Sequence, residues 1–172
     1  MSKLIILRGN SGSGKTTVAK ELQKKFGSNT MIISQDMVRR EILKVNDGPT
    51  TEALSLMQEL LIYGKNHSEI TILEGIMYAD WYKPLFECAV REFGDGIYAY
   101  YFDLPFEKTL RRHQARPKSN EFGEEEMRGW WREKDYIGFV KEDVITAEET
   151  LESVVEWVYE NIAQGECLEK NN

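Results

Sequence analysis

Gly9-Asn10-Ser11-Gly12-Ser13-Gly14-Lys15-Thr16 fits the phosphate-loop pattern GxxxxGK[ST] at every fixed position. Glycines at these places let successive backbone N–H groups turn inward around an anion with no Cβ in the way. The apolar run Leu4-Ile5-Ile6-Leu7 precedes the loop, and Val18, Ala19, Leu22 and Phe26 follow it at helical spacing. Strand, loop and helix therefore stand in the order such a loop requires. The positive end of the helix and the Lys15 ammonium would both face a phosphate chain, and the Thr16 hydroxyl would face Mg²⁺. A chance glycine-rich turn accounts for the glycines alone, but not for this context.

Working outward, short apolar runs alternate with helical periodicity along the whole chain. Further strands are predicted at Met31–Ser34, Ile70–Leu73, Ile97–Phe102 and, weakly, Val144–Ile145. Helices are predicted near 36–43, 51–66, 81–92, 105–115 and 124–134, and a last one opening on the Thr146/Glu149 capping box. Strands separated by helices imply a parallel sheet covered on both faces, an α/β domain. Residues 1–164 read as one domain and 165–172 as a polar, frayed tail.

At 172 residues, 41% hydrophobic and 30% charged, the composition is that of a globular domain rather than a disordered chain. No apolar stretch is long enough for a membrane span, and the first residues lack a signal peptide's apolar core, so a cytoplasmic location is expected. Cys88 and Cys167 match neither a redox pair nor a zinc pattern. The net charge of −7 argues against a general nucleic-acid binder. Its distribution is uneven: residues 1–50 are net +5, residues 51–116 net −3 and residues 117–172 net −9. The positive charge gathers where an anionic ligand would sit; an acidic, solvated C-terminal face is the simpler reading of the rest.

A phosphate loop specifies a nucleotide but not a reaction. Motor and switch nucleotidases need an aspartate after a hydrophobic strand; here the third strand ends Leu73-Glu74-Gly75. Glu74 could hold a Mg²⁺-bound water or be a plain strand-end carboxylate.

Three further patches, Ile33-Ser34-Gln35-Asp36-Met37-Val38-Arg39, Phe102-Asp103-Leu104-Pro105 and Arg111-Arg112-His113-Gln114-Ala115-Arg116, follow the loop in order. Over residues 3–160 the chain thereby resembles the small P-loop kinases of the zeta toxin, chloramphenicol phosphotransferase and polynucleotide 5′-kinase group. The resemblance implies a three-layer P-loop NTPase fold, a five-stranded parallel sheet in the order 2-3-1-4-5 and a helical lid at about 112–128. It implies ATP–Mg²⁺-dependent phosphoryl transfer to a hydroxyl of a small molecule. Gly9 to Thr17 would hold the nucleotide, with Thr16 on Mg²⁺. Arg112 would lie against the base or phosphates, and Lys15 and Arg116 would stabilise the transferring phosphoryl group.

Asp36 sits where these kinases place the base for the acceptor hydroxyl, the reading preferred here; a cap for the helix that follows is the alternative. Arg39, one turn on, would share its face and hold an anionic or hydroxyl-rich acceptor, whereas Arg40 is expected to point to solvent. Glu74, Tyr78 and Trp81 are candidates for the acceptor side, as are Trp130 and Trp131, although aromatics more often pack. Arg111 and His113 are expected at the surface, and Asp103 as a structural strand end. Two other functions fit the same residues. One is a polynucleotide 5′-hydroxyl kinase, which the acidic charge disfavours; the other is a non-catalytic nucleotide-binding module, in which Asp36 is only a cap.

Overall fold

The computed structural model of the protein describes residues 2–115 and 123–169, the side chains of 165–169 excepted. Five strands form one parallel sheet: β1 (Lys3–Gly9), β2 (Thr30–Ser34), β3 (Ile70–Gly75), β4 (Ile97–Phe102) and β5 (Glu142–Ile145). Their order is β2-β3-β1-β4-β5, as the kinase resemblance implies. β1 lies at the centre, with Ile6 opposite Leu73 on one side and Ala99 on the other. Alternate β1 side chains therefore supply two cores. Leu4 and Ile6 pack with α3 (Ala53–His67) and α4 (Lys83–Phe93), while Ile5 and Leu7 pack with α1 (Lys15–Phe26) and α7 (Leu151–Glu169). Helix, sheet and helix make three layers.

The connections follow local chemistry. After β2 the chain enters a helix at once, α2 (Gln35–Met37), which widens into a π-helical turn over Val38–Leu43. Lys44, at φ 56°, closes that turn in the left-handed region, its N–H donating to the Arg39 carbonyl. π-turns are rare and concentrate at functional sites; this one carries Arg39 and Arg40.

Helix α5 (Phe106–Gln114) buries Thr109 and His113, four residues apart on one face. Helix α6 (Glu124–Gly129) is five residues shorter at its C-terminal end than the predicted 124–134. It stops at Gly129, after which Trp131 turns its ring onto Phe106 (centroids 5.1 Å apart) and the chain turns toward the loop end of the sheet.

The expected start of the last helix is also corrected. Thr146 and Glu149 do bond one another, but as a turn ahead of the helix, and Thr150 is the residue whose hydroxyl accepts the Ser153 N–H as a cap. The helix continues through Glu169, so 165–169 are helical rather than a frayed tail. Among the described residues no helix is long and apolar enough to cross a membrane.

Candidate active site

The loop between β1 and α1 owes its shape to close packing. A Cβ on Gly12, at φ +76°, would come within 2.6 Å of the Thr109 carbonyl oxygen, and one on Gly9 within 2.7 Å of the Phe102 carbonyl oxygen. Only glycine fits either place. Gly14, the residue before α1, is left-handed, and no side chain caps the helix. The N–H groups of that first turn and the helix dipole thus face the loop interior. The Lys15 ammonium, 6% exposed, donates to the Asn10 carbonyl (2.7 Å) and to Ser13 Oγ (3.0 Å). Thr16 Oγ1 donates to Glu74 Oε2 at 3.1 Å. A hydroxyl and a buried carboxylate side by side form the hard oxygen donor set that Mg²⁺ takes alongside phosphate oxygens.

Three cavities run along this end of the sheet. The phosphate-loop cavity, of about 430 Å³, is lined by residues 11–17 with Glu74 and His113. On one side it adjoins a cavity of about 250 Å³ between Arg112, Phe102, Leu104, Ile145 and Leu151, the two sharing Ser13, Gly14 and Thr17. Arg112 Nη1 donates to the Ser13 carbonyl at 2.9 Å, which sets the guanidinium at that boundary. On the other side lies a cavity of about 410 Å³ that shares Ser11, Gln35, Asp36, Arg40 and Ile76 with the phosphate-loop cavity. The two outer cavities share no residue.

Asp36 therefore stands where the phosphate-loop cavity meets the larger outer one. It is the second residue of α2, not its cap, which is Ser34, and its side chain is 53% exposed. Arg39 and Arg40 both reach it, at 3.2 and 3.5 Å. The expectation of a solvent-pointing Arg40 is overturned: residues four apart on a helix are neighbours just as those three apart are. The surface assignment of His113 is overturned too, since it is 4% exposed and lines the phosphate-loop cavity. Glu74 lines that same cavity but not the larger outer one, so its neighbours are Thr16 and the phosphates' space. Tyr78, Trp81 and Trp130 do line the larger outer cavity, and Trp131 does not. Arg116 and the centre of the expected lid, 116–122, lie outside the described residues.

One residue of the larger outer cavity's wall carries no periodic signal in the sequence. Arg132 sits with its guanidinium 3.9 Å over the Tyr78 ring and 2.5 Å from Asp80 Oδ1. Its backbone is clipped by Asn10 of the phosphate loop, whose side-chain amide donates to the Arg132 carbonyl (2.7 Å) and accepts from its N–H (3.1 Å). Burial pushes the Tyr78 phenol up, with Arg132 opposing, so the phenol stays protonated and donates to the Trp130 carbonyl.

Beneath this wall lies Arg8, fully buried at the end of β1. Its guanidinium donates to the Met77 carbonyl, to Asp135 Oδ2 and to Glu142 Oε1, the last two at 2.8 Å. Asp135 also takes the Ala79 N–H, and Glu142 the Ile137 N–H. A charged residue directly after four apolar ones, Leu4–Leu7, was the sequence signal available for it.

Residues 4–133 match the family described as the AAA domain. The chain belongs to the AAA domain family. No curated protein matches this AAA-domain chain in sequence. Among solved structures it is similar to a gluconokinase from Sinorhizobium meliloti 1021 (16% identity, TM-score 0.64), covering 99% of this chain and 97% of that one. It is similar to the tunicamycin resistance protein of Deinococcus radiodurans (16%, TM-score 0.66, 94% and 96% covered). It is also similar to the APS kinase of Mycobacterium tuberculosis in complex with AMPPNP and APS (17%, TM-score 0.65, 92% and 96% covered). At these identities the likeness is one of fold.

Proposed function

We propose that the protein is an ATP–Mg²⁺-dependent kinase that transfers the γ-phosphoryl group to a hydroxyl of a small molecule, in one catalytic domain. The observation that carries this reading is the row of three cavities, with Asp36 at the junction of the phosphate-loop cavity and the larger outer one. The fold shared with a gluconokinase and an APS kinase supports it, as does the resemblance to the zeta toxin, chloramphenicol phosphotransferase and polynucleotide kinase group.

In this reading the base of ATP enters the cavity bordered by Arg112 and Leu104, and the phosphates follow the loop amides. Lys15 leaves the Asn10 carbonyl for the β- and γ-phosphates. Thr16 and Glu74 would hold Mg²⁺, which neutralises charge on the phosphate oxygens. Asp36 takes the proton of the acceptor hydroxyl. A bond forms from that oxygen to the γ-phosphorus, the bond from the γ-phosphorus to the bridging oxygen breaks, and ADP leaves. Arg40, bordering both cavities, offsets the charge that spreads over the phosphoryl oxygens. Arg116 would join it from the lid.

The test is a screen of metabolite pools for radiolabel passing from γ-labelled ATP. Label in a small alcohol, lost in Lys15→Ala, is the expected result. Label only in inorganic phosphate, from transfer to water, or only in the 5′ ends of nucleic acid, would overturn the small-molecule reading.

A further inference from the structure

The charges of the larger outer cavity are not spread evenly. Asp36 and Arg40 border the phosphates' space, whereas Arg39 and Arg132 line only the outer cavity. The other carboxylate lining that cavity, Asp47, is already engaged: it accepts from the Tyr82 hydroxyl (2.7 Å), Gln35 Nε2 (2.9 Å) and the Gly48 N–H (3.0 Å).

Arg39 is under-satisfied. Its side chain is 15% exposed, it holds Asp36 through one nitrogen, and its Nε is buried with no hydrogen-bond partner among the described residues. A guanidinium carries five donors, and a buried donor without an acceptor is destabilising unless a ligand supplies one. Arg132 is held ready instead. Tyr78 and Trp81 lie under its guanidinium, Asn10 fixes its backbone, and its partner Asp80 is exposed enough to turn to water. The apolar wall between the two arginines' elements comes from Ile76, Trp81 and Trp130.

Resting on the kinase reading above, we propose that the acceptor is a small anionic hydroxyl compound: Arg39 and Arg132 receive its carboxylate or phosphate ester, its flat apolar body lies along Trp81 and Trp130, and its hydroxyl reaches Asp36. A carboxylate or a phosphate ester satisfies a guanidinium through paired N–H donors. The cavity's size suits a metabolite, and the protein's net charge of −7 disfavours an extended polyanion.

The experiment is calorimetric titration of the full chain, saturated with AMPPNP and Mg²⁺, using probes that share one skeleton. One pair is para-hydroxymethylbenzoate and its neutral amide. The other is para-hydroxymethylphenyl phosphate and the neutral para-hydroxymethylanisole. At least one anion should bind about ten-fold or more tightly than its neutral partner; which anion does so separates carboxylate from phosphate. Arg39→Gln and Arg132→Gln should each abolish the preference, while AMPPNP affinity and circular dichroism stay parental. Arg132→Lys should restore part of it, which a merely structural role for Arg132 would not do. Equal binding of charged and neutral partners overturns the proposal, as does a preference that survives both substitutions, or the failure of every probe to bind at millimolar concentration. A short single-stranded DNA that binds more tightly than the phenyl phosphate overturns it in favour of a nucleic-acid end. Failure of AMPPNP–Mg²⁺ itself to bind defeats the kinase reading, and is seen before any acceptor probe is added.

Discussion

In the proposed kinase reading, Lys15 and Asp36 separate binding from chemistry. The Lys15 ammonium donates to the Asn10 carbonyl and Ser13 Oγ at the loop and is not among the apolar side chains of either core, so Lys15→Ala should leave the fold intact. Charge-assisted hydrogen bonds contribute about 1.5–3 kcal/mol, so ATP should bind about ten- to hundred-fold more weakly in a calorimetric titration. Parental ATP affinity in that variant would rule out the phosphate-loop assignment. Asp36→Asn keeps the shape of the side chain and its weak contacts with Arg39 and Arg40, and removes the proton acceptor. Because Ser34 and not Asp36 stands at the head of α2, no cap is lost and the melting temperature should hold. Turnover of the acceptor should fall by ~10²–10⁴-fold, the usual contribution of a general base. Near-parental turnover at saturating acceptor would move the base elsewhere, Glu74 being the next carboxylate along the cavity.

At the scale of elements, the Asn10 clip joins the phosphate loop to the stretch after α6. Asn10→Ala removes both side-chain bonds to the Arg132 backbone while leaving the loop glycines in place. The amide of Arg132 should then exchange with deuterium faster, measured by peptide-resolved mass spectrometry, with the exchange of β1 unchanged; slow exchange at Arg132 would mean that the Tyr78 and Asp80 contacts alone hold it. What the sequence revealed and what it hid divide along the same line. Strands and helices packed against the sheet advertise themselves by period, so Leu4–Leu7, Val18/Leu22 and Val154/Val158 were legible, and the loop motif named its own site. The π-turn over Val38–Leu43 was not, because its residues are also those of an ordinary helix. Nor were Arg8 and Arg132 as site-builders: Arg132 is held by Asp80 and Asn10, 52 and 122 positions away, and Arg8 by Glu142, 134 positions away, and a contact at that separation leaves no periodic trace. Thr109 and His113 stand four apart on the buried face of α5, yet two polar residues among charged neighbours do not advertise a buried face, which is why His113 was expected at the surface.

For the molecule as a whole, two consequences can be measured. Arg8→Met would leave Glu142, almost wholly buried, without its cation and Asp135 with its longer contact to Arg132 (3.7 Å). Breaking a buried pair by removing one partner costs about 3–5 kcal/mol, so the urea midpoint should drop sharply; a change under about 1 kcal/mol would show that the network is solvated. The second concerns alkali. Burial pushes the Tyr100 and Tyr101 phenols up to about 12 from 10.0, and burial with the Asp47 hydrogen bond pushes Tyr82 up as well. The folded chain then keeps protons that the unfolded chain releases. Stability from these groups is complete below about pH 10 and declines as pH climbs from there toward 12. The urea midpoint should be level up to that point and fall above it, with phenolate absorbance from these three rings arriving only as the protein unfolds. Early phenolate absorbance without unfolding would contradict the burial of these rings.

The Arg8 network also bears on the order in which a nascent chain can finish. Arg8 is made well before Glu142, which follows it by 134 positions. At ~5–20 residues per second, many seconds pass on the ribosome before that carboxylate emerges. Until then the guanidinium cannot be sealed beneath Tyr101 and Phe86 without a stranded charge, so the end of β1 must stay hydrated while the N-terminal strands and α1 are already available to pair. The phosphate loop can thus take shape early, whereas the Met77–Asp80 segment, which gives Tyr78 to the larger outer cavity, and the Asp135–Glu142 segment joined to it through Arg8 settle last, when the fifth strand docks.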